Sequence, residues 1–98
     1  IAGSGSSGSN DATGTSATFD GPLGITTDGT NLYVADTGNH KIRKIVISSR
    51  VVTTIAGSGG QGSSDHNTGT SATFNTPEGI TTDGTSLFVT ANKIRKID

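Results

Sequence analysis

Asp36 and His40 are the pair of residues whose types and spacing most readily suggest chemistry in this sequence. A carboxylate four residues from an imidazole can bind a metal ion or move a proton. Asp36, however, ends a predicted strand, where an Asp usually accepts hydrogen bonds from the backbone of its own turn. We therefore predict a structural role for Asp36, Asn39 and His40. His66, beside Asp65, is expected to be a solvated loop histidine.

Two Asp-Gly-Thr triplets, starting at Asp28 and Asp83, imitate a calcium site. Calcium needs about six to eight oxygen ligands, and the acidic series of a calcium loop is absent from the sequence. An Asp-Gly pair instead supplies the positive φ that a tight hairpin requires. We predict hairpin turns that contain Asp28, Gly29, Asp83 and Gly84.

Glycine-rich stretches at 3–8 and 57–62 contain Gly-x-Gly spacings that superficially resemble phosphate cradles. Such a cradle needs a helix directly after it, and here Ser and Thr follow without any helix signal. We expect these stretches to be flexible, exposed links. The sequence predicts no catalytic residue, no metal site and no cofactor.

All seven cations lie on or beside two matching predicted strands, where stacked sheets would align them into a basic band. An RNA-binding surface is one interpretation, but only four aromatic residues are available for stacking and eight acids offset the cations. We favour a solvated band that deters edge-to-edge strand pairing. The band would comprise Lys41, Arg43, Lys44, Lys93, Arg95 and Lys96.

The composition excludes several classes of protein. The 98 residues include 15 Gly, 12 Ser and 17 Thr, whereas hydrophobic residues reach only 29%. Without Cys, the chain has no disulfide, no thiolate zinc site and no cysteine nucleophile. Its apolar runs are too short to span a bilayer, and a net charge of −1 gives no global attraction to nucleic acid.

The sequence repeats itself along nearly its whole length. Residues 13–19 recur unchanged at 68–74, and residues 24–30 correspond to 79–85. The first copy contains four short β-rich runs separated by turn residues, and no stretch has sustained helical periodicity. A four-stranded unit with few apolar residues cannot form a core alone and must pack against its neighbours. The fold class is therefore all-β, with antiparallel four-stranded blades of a β-propeller.

The residues that carry this pattern resemble the NHL repeat: Pro22-x-Gly24-Ile25, then 32–45, then 52–57. The resemblance implies a propeller that commonly has six blades, and bacterial relatives that are often secreted. The second copy departs from the pattern, because 90–92 replaces the longer turn of the first copy and lacks its Asp and His.

The phase of the repeats predicts the domain organisation. Residues 1–3 are the end of a preceding outer strand, 4–57 form the first blade, and 58–98 form a second blade without its fourth strand. We expect chain upstream of Ile1, or identical copies, to supply further blades, since two blades cannot close a ring. The predicted inter-blade core consists of Ile25, Leu32, Val34, Ile42, Ile45, Ile80, Leu87, Val89, Ile94 and Ile97.

The predicted function is a non-catalytic structural or interaction module that self-assembles into a ring or filament and presents a binding surface. Its partners would be further blades or copies of itself, and protein or glycan, without nucleic acid or membrane insertion. An extracellular location is implied by the resemblance. The alternatives are a metal-dependent lyase or hydrolase with a channel site, which some similar propellers are, and RNA binding through the basic band.

Overall fold

Seven β-strands form two antiparallel sheets in the computed structural model, which describes residues 1–62 and 69–97. Blade 1 comprises β1 (Gly24–Thr27), β2 (Asn31–Asp36), β3 (Lys41–Val46) and β4 (Val52–Ala56). Blade 2 comprises β5 (Gly79–Thr82), β6 (Leu87–Thr90) and β7 (Ile94–Ile97). Strands are hydrogen-bonded in chain order in both sheets.

The predicted all-β fold is confirmed. Within the described ranges the only helical elements are three short 3₁₀ turns, at Gly14–Ser16, Thr37–Asn39 and Gly69–Ser71. None of the described residues forms a helix long and apolar enough to cross a membrane. The predicted loop residues Asp65 and His66 lie outside the described residues.

A tight hairpin joins the first two strands of each blade. In blade 1, Asp28 Oδ1 accepts hydrogen bonds from the backbone N–H groups of Thr30 (2.9 Å) and Asn31 (2.8 Å), and Gly29 has a φ of +96°. Asp83 accepts the equivalent pair of bonds in blade 2. The side chain that looked like a calcium ligand is thus part of the turn that sets the strand register.

Each blade has two faces, because successive residues of a strand point to opposite sides of the sheet. We call the face that carries Val34 the leading face and the face that carries Ile42 the trailing face. The leading face carries Ile25, Leu32, Val34, Arg43 and Ile45 on blade 1, and Ile80, Leu87, Val89, Arg95 and Ile97 on blade 2. The trailing face carries Thr26, Tyr33, Ala35, Ile42 and Lys44 on blade 1, and Thr81, Phe88, Thr90, Ile94 and Lys96 on blade 2.

The trailing face of blade 1 packs against the leading face of blade 2. Ile42 lies in one buried cluster with Leu87 and Val89. A β-bulge opposite Ile42 allows both Ile55 and Ala56 to join this cluster. The apolar residues of these two facing surfaces are therefore hidden between the blades and not within a single sheet.

The glycine-rich segment 1–20 covers part of the leading face of blade 1. Ala17 is buried in a second cluster with Val34, against which Phe19 also packs. Gly8 donates its backbone N–H to Phe19 O, and Gly62 makes the same bond to Phe74 O. These stretches were expected to be flexible links, but the structure holds them by repeated backbone hydrogen bonds. Glycine is required at residue 8 because a Cβ there would lie 2.6 Å from Thr18 Oγ1.

Two residues of the predicted inter-blade core are not covered by another blade among the described residues. Ile25 is 60% exposed and Ile94 is 75% exposed. Ile25 lies on the leading face of blade 1 and Ile94 on the trailing face of blade 2, and no further blade among the described residues covers either face. The repeat equivalent of Ile94 is Ile42, which is fully buried. The remaining predicted core residues are buried or partly buried.

Candidate functional site

Arg43 is one of two fully buried charged residues of blade 1, together with Asp36. It is 0% exposed. Its guanidinium donates hydrogen bonds to Asp36 Oδ2 at 2.7 Å and to Asp11 Oδ1 at 2.8 Å. Further bonds go to the backbone oxygens of Thr18 (2.8 Å) and Asn10 (3.0 Å). These contacts tie the N-terminal segment to the sheet.

Asp36 has both carboxylate oxygens committed to the fold. It is 0% exposed. Oδ1 accepts a bond from the backbone N–H of Asp20 at 2.8 Å, and Oδ2 accepts bonds from Arg43 and from Asn39 Nδ2 at 2.7 Å. The amide nitrogen of Asn39 also donates to Gly8 O. A carboxylate held in this way stabilises its turn and is not available to a metal ion or substrate.

The hydrogen-bond partners of His40 are different residues from those of Asp36. His40 Nδ1 accepts a hydrogen bond from the backbone N–H of Thr76 at 2.9 Å, and Nε2 lies 3.3 Å from Gln61 Nε2. Since both partners follow blade 1 in the chain, His40 connects blade 1 to the segment leading into blade 2. Asp36 and His40 are thus neighbours in sequence without forming a proton-transfer pair.

The predicted basic band is wrong at its two arginines. Arg43 lies 4.7 Å from the ring centroid of Phe19, and Arg95 lies 4.6 Å from that of Phe74. Both arginines are buried and stack on these rings. The strand alternation could have revealed this, because Arg43 shares a face with the apolar Ile45. Four lysines remain on the surface, half-buried or exposed: Lys41, Lys44, Lys93 and Lys96.

A groove of about 250 Å³ lies between the two blades near their first hairpins. Its apolar lining comprises Ile55, Leu87 and Ile97, with the side chains of Tyr33, Lys44 and Asp28 on the blade 1 side. Thr82, Gly84, Thr85 and Ser86 from the blade 2 hairpin complete it. The composition did not reveal this groove, because its walls come from segments about fifty residues apart.

Asp28 and Tyr33 bond to each other at the rim of the groove. The Tyr33 hydroxyl donates to Asp28 Oδ2 at 2.9 Å. Hydrogen bonds from the backbone N–H groups of Asn31 and Thr30 hold the pKa of Asp28 below its ordinary value of 3.8. Desolvation by burial raises the pKa of Tyr33 above its ordinary value of 10.0. At neutral pH this pair is therefore a carboxylate and a neutral phenol.

A second concavity, of about 270 Å³, lies on the open leading face of blade 1. It is mainly apolar, with Leu23, Ile25 and Phe19 in its lining together with Leu32 and Val34. Blade 2 presents the equivalent of Ile25, Leu32 and Val34 to blade 1. The concavity therefore occupies the place where a preceding blade would pack.

Metal-ligating side chains do not gather within the parts of the chain that the structure describes. No three His, Cys, Asp or Glu residues among them lie close enough together to hold a metal ion. The acids of blade 1 instead accept hydrogen bonds from backbone groups or from Arg43.

Comparison with known proteins places this geometry in a family. Residues 19–45 match the NHL repeat. Human NHL repeat-containing protein 2 is 39% identical over 72 residues, which is 71% of this chain and 10% of that protein. The chain therefore spans about a tenth of the length of this relative.

Solved structures from Bacteroides thetaiotaomicron share the fold. A protein of unknown function is 29% identical, with a TM-score of 0.88 over 98% of this chain and 26% of its own. An auxiliary nutrient binding protein is 28% identical, with a TM-score of 0.81 over 96% of this chain and 26% of its own. The two sheets correspond to about a quarter of each of these longer chains. Together with the repeat match, they show that this chain belongs to the NHL-repeat family and that its sheets are β-propeller blades.

Proposed function

We propose that this chain is a non-catalytic structural and binding module whose blades join head to tail with further blades, including those of a second copy. The observation that carries the proposal is that the inter-blade contact inside the chain is buried, whereas the two outer faces of the blades are open. One interface between a trailing face and a leading face is buried within the chain. The two outer faces carry mostly the same types of residue as the two buried faces at the same register positions, with Thr90 in place of Ala35 as the exception.

The internal interface defines what a head-to-tail contact requires. Ile42 on the trailing face of blade 1 is fully buried against Leu87 and Val89 on the leading face of blade 2. The open trailing face of blade 2 carries Ile94 at the position of Ile42. The open leading face of blade 1 carries Leu32 at the position of Leu87. A second copy could therefore repeat the part of the internal contact that Ile42, Leu87 and Val89 make. Thr90 would take the place of Ala35, and β5 to β7 contain no counterpart of Ile55 and Ala56.

Apolar surface gives this contact its driving force. Ile25 and Ile94 are both largely exposed, and burying one such side chain contributes roughly 1.5–3 kcal/mol. A head-to-tail contact closes into a ring when its rotation fits and otherwise extends into a filament. Three copies with two blades each would make a six-bladed ring.

Three aspartate variants test the head-to-tail contact. Ile25→Asp blocks only the leading face and Ile94→Asp blocks only the trailing face, so each variant alone should be monomeric by light scattering. An equimolar mixture should form dimers, because each variant retains the face that the other one needs. Ile47→Asp is the matched control, since Ile47 is also partly exposed but lies beyond the end of β3, outside both face sets. Wild-type chain that is folded and monomeric at micromolar concentration would refute the assembly.

The binding role extends to small nutrients, protein or glycan at the propeller surface. It is supported by the neighbouring structure called an auxiliary nutrient binding protein. We also propose that the protein is secreted, which detection in the culture medium against the cell pellet would test. A stoichiometric metal ion in the purified assembly would overturn the non-catalytic assignment in favour of a channel enzyme.

A further inference from the structure

We propose that the groove between blade 1 and blade 2 binds a neutral, hydroxyl-rich ring of monosaccharide size. The proposal rests on the proposed role as a binding module. It does not rest on head-to-tail assembly, because both walls of the groove come from the same chain. Assembly and sugar binding can therefore succeed or fail separately.

The groove is an unfilled wedge between two packed sheets. Tyr33, Lys44 and Ile55 line it from blade 1, and Leu87 and Ile97 line it from blade 2. The small side chains of Ala35 and Ala56 are buried in the same interface. The groove has a volume of about 250 Å³ and is lined by residues near the first hairpin of each blade. A space of this size suits one sugar ring.

The lining of the groove matches the two kinds of surface that a sugar ring offers. Ile55, Leu87 and Ile97, with the ring of Tyr33, contribute apolar lining that can contact the C–H groups of the sugar. The rim supplies a carboxylate at Asp28, an ammonium at Lys44 and the hydroxyl of Thr85. One positive and one negative charge cancel, which favours a neutral ligand with both donor and acceptor hydroxyls.

Asp28 is in position before a ligand arrives. Its Oδ1 accepts two backbone hydrogen bonds and its Oδ2 accepts the bond from the Tyr33 hydroxyl. Lys44 has no ion pair or hydrogen bond to a side chain among the residues that the structure describes, so its ammonium group can donate to a ligand. A fixed acceptor beside an available donor reduces the entropy lost on binding.

The repeat provides matched controls for the groove. Lys96 occupies the position of Lys44 in blade 2, and Thr30 occupies the position of Thr85 in blade 1. Neither control residue lines the groove. Lys44→Met and Lys96→Met thus make the same chemical change inside and outside the site, as do Thr85→Val and Thr30→Val.

Tyr33 is itself the reporter, because the chain has one Tyr and no Trp. The 98-residue chain is titrated with D-glucose, D-galactose and N-acetyl-D-glucosamine while tyrosine fluorescence is followed. We expect at least one sugar to change the emission with a Kd of about 1 mM, the order set by the affinity available per atom of a small ligand. Lys44→Met should weaken that binding by about tenfold and Thr85→Val by about fivefold, with both controls unchanged.

Two results would overturn the proposal. One is a tyrosine emission that stays unchanged with all three sugars at concentrations up to about 100 times the expected Kd. The other is binding that Lys44→Met and Thr85→Val leave intact, or that the control variants weaken equally. Light scattering on the same samples distinguishes the two proposals. A monomer that binds a sugar would refute head-to-tail assembly alone. An assembled protein that binds none of the three sugars would refute the sugar-binding groove alone. Saturation-transfer NMR of the sugar signals gives the same answer for any variant with weak fluorescence.

Discussion

Replacing Arg43 with methionine tests whether a buried ion pair holds the leading face of blade 1 to its N-terminal segment. Methionine keeps much of the volume of the side chain but removes all five of its hydrogen bonds. Asp36 then stays buried with Asn39 and the backbone of Asp20 as its remaining donors. The negative charge of Asp36 then has no positively charged partner and is not exposed to solvent.

The magnitude follows from the burial of both partners. The side chains of Arg43 and Asp36 are 0% exposed, and their closest atoms are 2.7 Å apart. Breaking a buried pair by removing one partner costs about 3–5 kcal/mol, because the other charge is left uncompensated. The second carboxylate, Asp11, is 43% exposed and can turn to water, so its loss adds little. The expected cost is therefore a large share of the total stability of a small domain, which is roughly 5–15 kcal/mol.

Urea denaturation followed by circular dichroism measures this loss. With a slope of roughly 1.5 kcal/mol per molar urea, the midpoint of Arg43→Met should fall by about 2–3 M. Lys44→Met is the matched control on the same strand, and it should stay within about 0.5 kcal/mol of wild type. An Arg43→Met protein that loses its fold altogether agrees with the same reasoning.

A double variant separates the cost of leaving the Asp36 carboxylate without its partner from the cost of lost packing around Arg43. Asp36→Asn combined with Arg43→Met should be more stable than the sum of the two single losses predicts, by about 0.5–3 kcal/mol. A loss below about 1 kcal/mol in Arg43→Met, or strictly additive losses, would refute the assignment of Asp36 and Arg43 as a coupled structural pair.

Three further results are expected. Gly24→Ala should destabilise the chain by about 1–3 kcal/mol in the same urea assay, because its Cβ would collide with the backbone oxygen of Glu78. Gly60→Ala, with only Ser58 Oγ nearby, should have little effect. The free energy of unfolding should decrease as the pH is lowered below 3.8, the ordinary pKa of Asp. The pKa of Asp28 is lowered in the folded state, so its contribution to stability is lost as the pH falls through that lowered pKa. Asp28→Asn should make this decrease shallower. The phenol of Tyr33 should titrate above 10.0 by ultraviolet absorbance, since desolvation raises its pKa most and the bond to Asp28 raises it further. Stability should then decline as pH rises from 10.0 through the folded pKa, and a titration at or below 10.0 would contradict the partial desolvation of Tyr33.

Local chemistry was sufficient to predict the architecture of this protein. The Asp-Gly pairs at Asp28 and Asp83 determine the hairpins, since their carboxylates and positive-φ glycines act within four residues. The alternation of apolar residues gives the strands, and the repeat of whole segments indicates blades that must stack. These signals depend on neighbours in the chain, so one sequence reveals them.

Only the tertiary structure decided which residues are hidden and which surfaces are open. Arg43 was predicted in a solvated band because it stands among lysines, yet Asp36, Asp11 and Phe19 enclose it from other segments. The physical reason is that burial of a charge depends on partners brought together by folding, which sequence spacing does not encode. Ile25 and Ile94 have the apolar pattern of core residues, but their exposure depends on whether another blade covers them. The sequence by itself determined the strands and hairpins of each blade. The packing of one blade on the next determined which of its residues are buried and which are exposed.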